Sequence, residues 1–344
     1  MKMWKKGLVM LVLMAILMNM AYAQIISPTT GLPIEGEPVA PMLVVISNSE
    51  SNVEYNGHTT SAQGVGKRQA WGGQKADIIY ECPLYRDSCT RLTYLFHDAL
   101  VNGETVQAGP IRSVRSIHVQ LTQAWNGGLI YANGLSGNLR GVPQLEEIQD
   151  VAFTDGEALT KPHITSVPKV RVPDHRSADV VAIHSLLADQ QFKADALVFT
   201  DELPGNDLPK VTEIKLNWGT EKRFFSRFVY DEDKQTYQWY SNKVPKKNWT
   251  DASRTEETEL NFANVIVQYV PISHPVTRLV AETDLSTGGR AQIAMGGRMV
   301  EARWVNRNGR IHYVDDNGND VPLQRGKTYV AIWADDWDQL SYKH

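Results

Sequence analysis

The sequence predicts an α+β protein, with a mixed α/β domain over residues 42–195 followed by a mainly antiparallel β domain over 196–335. Three observations lead there. The 344 residues exceed the size at which one hydrophobic core usually suffices, so two domains are expected. In the first half, short apolar, β-branched runs alternate with segments of helical period. From about Phe192 onward, alternating strands separated by Asp, Asn and Gly turns take over, a spacing that suits a sandwich or half-barrel.

In chain order, residues 1–23 read as an address. Lys2, Lys5 and Lys6 precede an apolar run, Gly7 to Met20, and Ala21-Tyr22-Ala23 supplies a cleavage pattern ahead of Gln24. The run is short for a membrane span, which needs about 20 residues. Export and release is the expectation, and an uncleaved signal segment is the alternative and the sole membrane contact considered. No cysteine stands at the cleavage point to accept a lipid. Residues 24–41, with Pro28, Pro33, Pro38 and Pro41, form an extended lead-in. Met42 to Ile46 reads as a buried strand, and the Gly- and Asn-rich stretch 47–75 as a long loop. Gly64-Val-Gly66-Lys67 inside it lacks the spacing of a phosphate-binding loop.

Ala76 to Glu81 and Thr90 to Phe96 read as antiparallel strands, and Glu104 to Ala108 as another. Ser113 can cap a helix whose apolar positions are Val114, Ile117, Leu121 and Trp125. Gly127 to Asn133 is a buried strand, Leu139 to Ile148 a short helix and Ala178 to Gln191 a longer one. The second half then supplies strands at 211–216, 223–230, 236–240, 264–270, 278–282, 290–294, 298–304 and 329–333, leaving 336–344 as a tail.

The formal charge of the whole chain is −4. Removing the leader takes three lysines from 35 basic residues and leaves 32 against 39 acids, a charge of −7. That balance argues against nucleic-acid binding, which needs a basic footprint. Cys82 and Cys89 in an exported chain predict a disulfide across a six-residue turn, with free thiols as the alternative. The bond would place Arg91 opposite Tyr80 and Thr90 opposite Glu81, and would add about 2–3 kcal/mol. No further cysteine or suitably spaced histidine accompanies the pair, so neither metal nor cofactor is expected.

Chemistry concentrates at Gly109-Pro110-Ile111-Arg112-Ser113-Val114-Arg115. A helix N-terminus carries free N–H groups and partial positive charge, so two arginines there make sense if an anion joins them. Arg91 belongs to the same candidate set. The alternative is that Arg112 and Arg115 pair with Asp77 or Glu81, the two candidate bases or metal ligands. Asn133 and Ser136 follow the carboxyl end of a strand and are candidate rim residues. His175, beside Asp174, is read as a proton-transfer or phosphate-contacting group, or more blandly as a surface histidine next to a capping aspartate.

The chain resembles the YerB-like family of bacterial cell-envelope lipoproteins, whose domain is classed as of unknown function. The resemblance rests on Ala76-Asp77-Ile78-Ile79-Tyr80-Glu81, Thr90-Arg91 and the Gly-Pro-x-Arg-Ser-x-Arg motif at 109–115. In the second half it rests on Asn264 to Gln268, Gly297 to Trp304, Tyr313 to Gly318 and Gly326-Lys327-Thr328. It implies an N-terminal mixed α/β domain and a C-terminal mainly β domain outside the cytoplasmic membrane. Two positions depart from the pattern: Gln24 stands where members often carry a lipidated cysteine, and Pro173-Asp174-His175-Arg176 replaces a Pro-His-Asn stretch.

Together these readings predict an exported envelope protein that binds an anionic, phosphate- or carboxylate-bearing wall component or an envelope protein partner through an arginine-lined site. One alternative is an envelope-polymer phosphotransferase or hydrolase. Another is a structural envelope protein with an internal ion-pair network.

Overall fold

A computed structural model describes residues 24–84, 89–132, 142–218, 224–273, 281–338 and 340–344. Residues 1–23, residues 85–88 between the cysteines, Asn133, Ser136 and part of the expected strand at 278–282 lie outside the described residues. The chain is mostly β. Among the described residues no helix is long and apolar enough to cross a membrane.

The first half contributes β1 (Met42–Ser47), β2 (Glu50–Tyr55), β3 (His58–Gln63), β4 (Ile78–Pro83) and β5 (Thr90–Phe96). The short helix α1 (Asp98–Val101) and the longer α2 (Ser116–Trp125) follow, then β6 (Gly128–Tyr131) and β7 (Ala152–Thr154). Helix α3 (Val180–His184) is a single turn. The second half supplies β8 (Glu213–Asn217), β9 (Phe225–Asp231), β10 (Thr236–Ser241), β11 (Asn264–Val270) and β12 (Gly289–Met295). It ends with β13 (Arg298–Arg307), β14 (Arg310–Val314), β15 (Thr328–Ala334) and β16 (Leu340–Lys343). Shorter bridging strands are left unlabelled.

One ten-stranded sheet runs through both halves in the order β14-β13-β12-β11-β15-β4-β5-β1-β6-β7. Strand β15 sits between β11 and β4 and is parallel to both, so the last long apolar run of the chain joins the two halves. Period-two alternation then sorts the side chains. Met42, Val44, Ile79, Tyr329 and Trp333 face one core, while Leu43, Val45, Ile78, Tyr80 and Val330 face the other. The second, six-stranded sheet, built on β8, β9, β10 and β16, packs over the first of these cores. Its anchor is an aromatic cluster in which Phe228 lies 4.4 Å from Tyr329 and 5.8 Å from Trp239, centroid to centroid. Helix α2 packs on the opposite core through Ile117, Val119, Leu121 and Trp125. Asn126, in the left-handed region at φ 48°, ends the helix.

Several expectations change. The stretch read as a loop at 47–75 contains the β2–β3 hairpin, turned by Asn56-Gly57 at φ 52° and 75°, the pairing that a tight hairpin turn requires. The helix expected from Ala178 is only α3, because just Val180, Ile183 and His184 of that turn are buried. The helix after Ser113 begins at Ser116, with Arg115 as its cap. Residues read as a tail include β16, which pairs with β8.

The cysteines are also free. In the observed register Cys82 faces Arg91 and Pro83 faces Thr90, two residues away from the disulfide-based pairing. Leu84 donates to the Cys89 carbonyl at 3.1 Å, which makes Cys82 and Cys89 diagonal neighbours across the hairpin. Diagonal Cα atoms lie about 7–8 Å apart, beyond the usual span of a disulfide.

Candidate functional site

The arginine motif is laid along the carboxyl end of β1. Ser47 N–H donates to Pro110 O at 2.8 Å, and Arg112 N–H donates to Val45 O at 2.8 Å. Ala132, just past β6, donates to Arg112 O at 2.9 Å. Gly109 is required by close approach, since a Cβ there would lie 2.3 Å from the Trp71 ring and 2.6 Å from Arg176 O. Arg112 therefore stands where the parallel strands β1 and β6 end, the usual place for ligand crevices in such sheets.

Two guanidinium groups and an imidazole meet around α2. Arg91 is paired with Ser47 across the β1–β5 ladder and is buried. Arg115 is buried at the helix cap and its guanidinium donates to Val114 O at 2.7 Å. His118, fully buried in the first turn, accepts the Arg115 backbone N–H at Nδ1, 2.7 Å. Burial first, and then the Arg91 and Arg115 guanidinium groups, hold its pKa well below the ordinary 6.5. The ring is thus neutral at pH 7 with its proton on Nε2, and that Nε2 has no hydrogen-bond partner among the described residues. In sequence His118 is masked by its position four residues after Val114 and three before Leu121, on the apolar stripe, where it reads as a core residue.

Arg112 meets a different group. Its Nε lies 3.5 Å from Asp174 Oδ1, while Arg68 Nη1 is 2.8 Å from Asp174 Oδ2 and Ser47 Oγ donates to Oδ1 at 2.8 Å. Asp174 is therefore a counter-ion shared by two arginines, not a helix cap; Asp179 caps α3. His175 is half-buried and does not enter this ion pair. Beside Asp174 opens a cleft of about 810 Å³ lined by Ser49, Lys67, Arg68, Cys89 and Arg171.

Asp77 and Glu81 lie on the other face of the sheet from Arg91 and α2. Glu81 is fully buried between the two sheets, where Oε1 accepts from Asn48 Nδ2 at 3.0 Å and Thr90 Oγ1 at 2.5 Å. Its Oε2 accepts from Ser226 Oγ at 2.6 Å and Tyr329 Oη at 2.5 Å. Nearby Lys246 is also fully buried, donating to Asn48 Oδ1 at 2.5 Å and Gln63 O at 2.7 Å. Burial pushes its ammonium down to about 7, with the Glu81 charge opposing.

Asp77 accepts backbone N–H groups of His97 at 2.7 Å and Asp98 at 3.0 Å, and the Thr29 hydroxyl at 3.1 Å. Burial and then the neighbouring Asp98 carboxylate push its pKa up to about 8, against the hydrogen bonds and Lys327. Asp98 goes the other way: burial alone would raise it, but hydrogen bonds from His97, Ser27 and Thr30 outweigh that and keep it low. Ligand atoms of Asp77, His97 and Asp98 lie within 4.8 Å of one another. Asp77 Oδ2 and both Asp98 oxygens are nevertheless occupied by protein donors, and Lys327 is close enough to act on both carboxylates. The cluster suits a clasp on residues 27–30 better than a cation.

Comparison with known proteins bears on the whole chain. Residues 64–191 match a family model described as "Protein of unknown function (DUF3048) N-terminal domain", and residues 214–330 match its C-terminal domain. The chain is 25% identical over 322 residues to "Putative lipoprotein YerB" of Bacillus subtilis (strain 168), covering 90% of this chain and 86% of that protein. It also resembles the crystal structure of the YerB protein from Bacillus subtilis, with a TM-score of 0.73 at 20% identity, over 93% of this chain and 100% of that one. That second likeness speaks to the fold alone.

Proposed function

Since this chain belongs to the DUF3048 family, whose two domains are described only as of unknown function, we propose its role from its own geometry. It is an exported cell-envelope protein that binds an anionic, phosphate- or carboxylate-bearing wall component or partner. The binding groups are Arg112, Arg91 and Arg115 at the carboxyl end of β1 and β6. The leader-like residues 1–23 and the lipoprotein name of the relative support the compartment.

The observation that carries the reading is the sorting of charge by the sheet. Asp77 and Glu81, the acids offered as partners for the arginines, are spent on the opposite face. On the arginine face, Asp174 serves both Arg68 and Arg112, and two guanidinium groups bear on a neutral histidine. An incoming anion would meet favourable charge and the Nε2–H donor of His118. The phosphotransferase or hydrolase alternative would need a base beside the arginines; the acid that meets Arg112 is already held in ion pairs.

The test is a thermal-shift series on the mature protein with inorganic phosphate and with phosphorylated or carboxylated envelope fragments. Arg112→Ala, whose side chain is part-exposed, and the Arg112→Ala/Arg115→Ala double variant are run alongside. At about 100 times Kd a ligand adds roughly 2.7 kcal/mol to stability. That gain should appear in wild type and shrink in Arg112→Ala. No shift with any anion in wild type and an equally folded Arg112→Ala would discard the proposal.

A further inference from the structure

Between the two sheets, three side chains meet that the anion site does not use. Asn48 follows β1, Glu81 lies in β4 and Lys246 follows the short strand paired with β10. Their exposures are 2%, 0% and 0%. Residues 48 and 246 are 198 positions apart in sequence, yet Lys246 Nζ is 2.5 Å from Asn48 Oδ1. The amine therefore lies in direct contact with the amide.

The surroundings favour reaction over simple contact. Gly64, at φ 58°, leaves the wall bare at this point: a Cβ there would lie 2.6 Å from Asn48 Oδ1 and 2.6 Å from Lys246 Nζ. Asn48 Nδ2, which would be the leaving nitrogen, is 3.0 Å from Glu81 Oε1. The Ser226 and Tyr329 hydroxyls hold the other oxygen of Glu81 and so fix the orientation of the carboxylate. The Trp239 ring, 4.7 Å from Nζ, and the surrounding aromatic cluster keep water from the site. Burial also favours the neutral amine, the nucleophilic form of lysine.

We propose that Lys246 and Asn48 join in an intramolecular isopeptide bond, with Glu81 carrying the proton between their nitrogens. The Nζ lone pair attacks Asn48 Cγ and the Nζ–Cγ bond forms. Glu81 takes one proton from Nζ and passes it to Nδ2. The Cγ–Nδ2 bond then breaks and ammonia leaves, so that an amine and a primary amide become a secondary amide plus ammonia. Glu81 ends as it began, and the step needs no oxidant or cofactor. Glu81 is a catalytic residue here, since it touches the reacting amide.

Mass spectrometry of the folded mature protein tests this directly. The bond removes one ammonia, so the intact mass should fall about 17 Da below the sequence mass. A mature N-terminal Gln24 can lose ammonia too, so the deciding measurement is the tryptic map. Wild type should give one linked species containing both Asn48 and Lys246, with no cleavage after Lys246. The Glu81→Gln variant should give the two peptides separately. Separate, unmodified peptides from folded wild type would overturn the bond, and a link that persists in Glu81→Gln would overturn the role of Glu81.

Discussion

Replacing Asp77 by Asn should flatten the pH dependence of stability between pH 5 and pH 7. The side chain has 3% exposure, and in the folded protein burial and Asp98 raise its pKa to about 8 from 3.8. Between those values the folded state holds a proton that the unfolded chain has released. The resulting stability is fully present below about pH 3.8 and drains away as pH rises toward 8. One proton corresponds to about 1.4 kcal/mol per pH unit, so wild type should lose about 3 kcal/mol from this group across two units.

Other groups titrate nearby, and their signs differ. Burial lowers the folded pKa of His118 and of His184, so their contribution is present above about 6.5 and lost as pH falls. Asp98 is lowered below 3.8 and acts only in more acidic solution. Lys327, also lowered, faces Asp77 and Asp98 but titrates from an ordinary value of 10.5. The difference between wild type and Asp77→Asn isolates the one group, because Asn can still accept the N–H bonds from residues 97 and 98. Urea unfolding followed by circular dichroism at pH 5, 6 and 7 measures it. The variant should gain on wild type at each step upward. A difference that stays constant with pH, or grows toward acid, would refute the assignment of the proton to Asp77.

Two other outcomes are expected. In native protein without reductant, Cys89, which is half-buried, should react with a thiol reagent while Cys82 reacts only on unfolding, since burial raises its pKa far above the ordinary thiol range; two unreactive thiols released only by reduction would show a disulfide after all. Phe228→Ala should cost about 3–5 kcal/mol in urea unfolding, because its ring is fully buried against Trp239, Phe262 and Tyr329; a loss below about 1 kcal/mol would mean the two sheets are not held together there.

What could be read in advance follows from the range over which the chain leaves a pattern. Residues 264–270 read as a strand with the bounds that β11 has, because a β-branched and aromatic run broken only by Gln268 constrains its own ends. Strand alternation alone sets Asp77 and Glu81 on the face opposite Ile78 and Tyr80, and they lie there even though the pairing is displaced by two residues from the disulfide-based register. A slip of two preserves alternation, so the error in register left the faces intact. The β2–β3 hairpin has a local signal in Asn56-Gly57, submerged in the Gly- and Asn-rich composition of residues 47–75. The contacts of Arg112 with Asp174 and of Lys246 with Asn48 had no such signal. They join segments far apart in sequence, and neither propensity nor period records which distant side chains will meet.

The position of β15 bears on how the chain can be made. Strands β4, β5, β1, β6 and β7 form one patch and β14 to β11 another, and the strand that unites them follows both of them in the chain. A nascent chain that has not yet released residue 334 carries two open sheet edges, at β4 and at β11. Each presents unpaired N–H and C=O groups to any other strand it encounters. Assembly of the sheet must therefore wait until residues 328–334 have been made, which favours slow folding and makes a chain halted before residue 328 prone to aggregate.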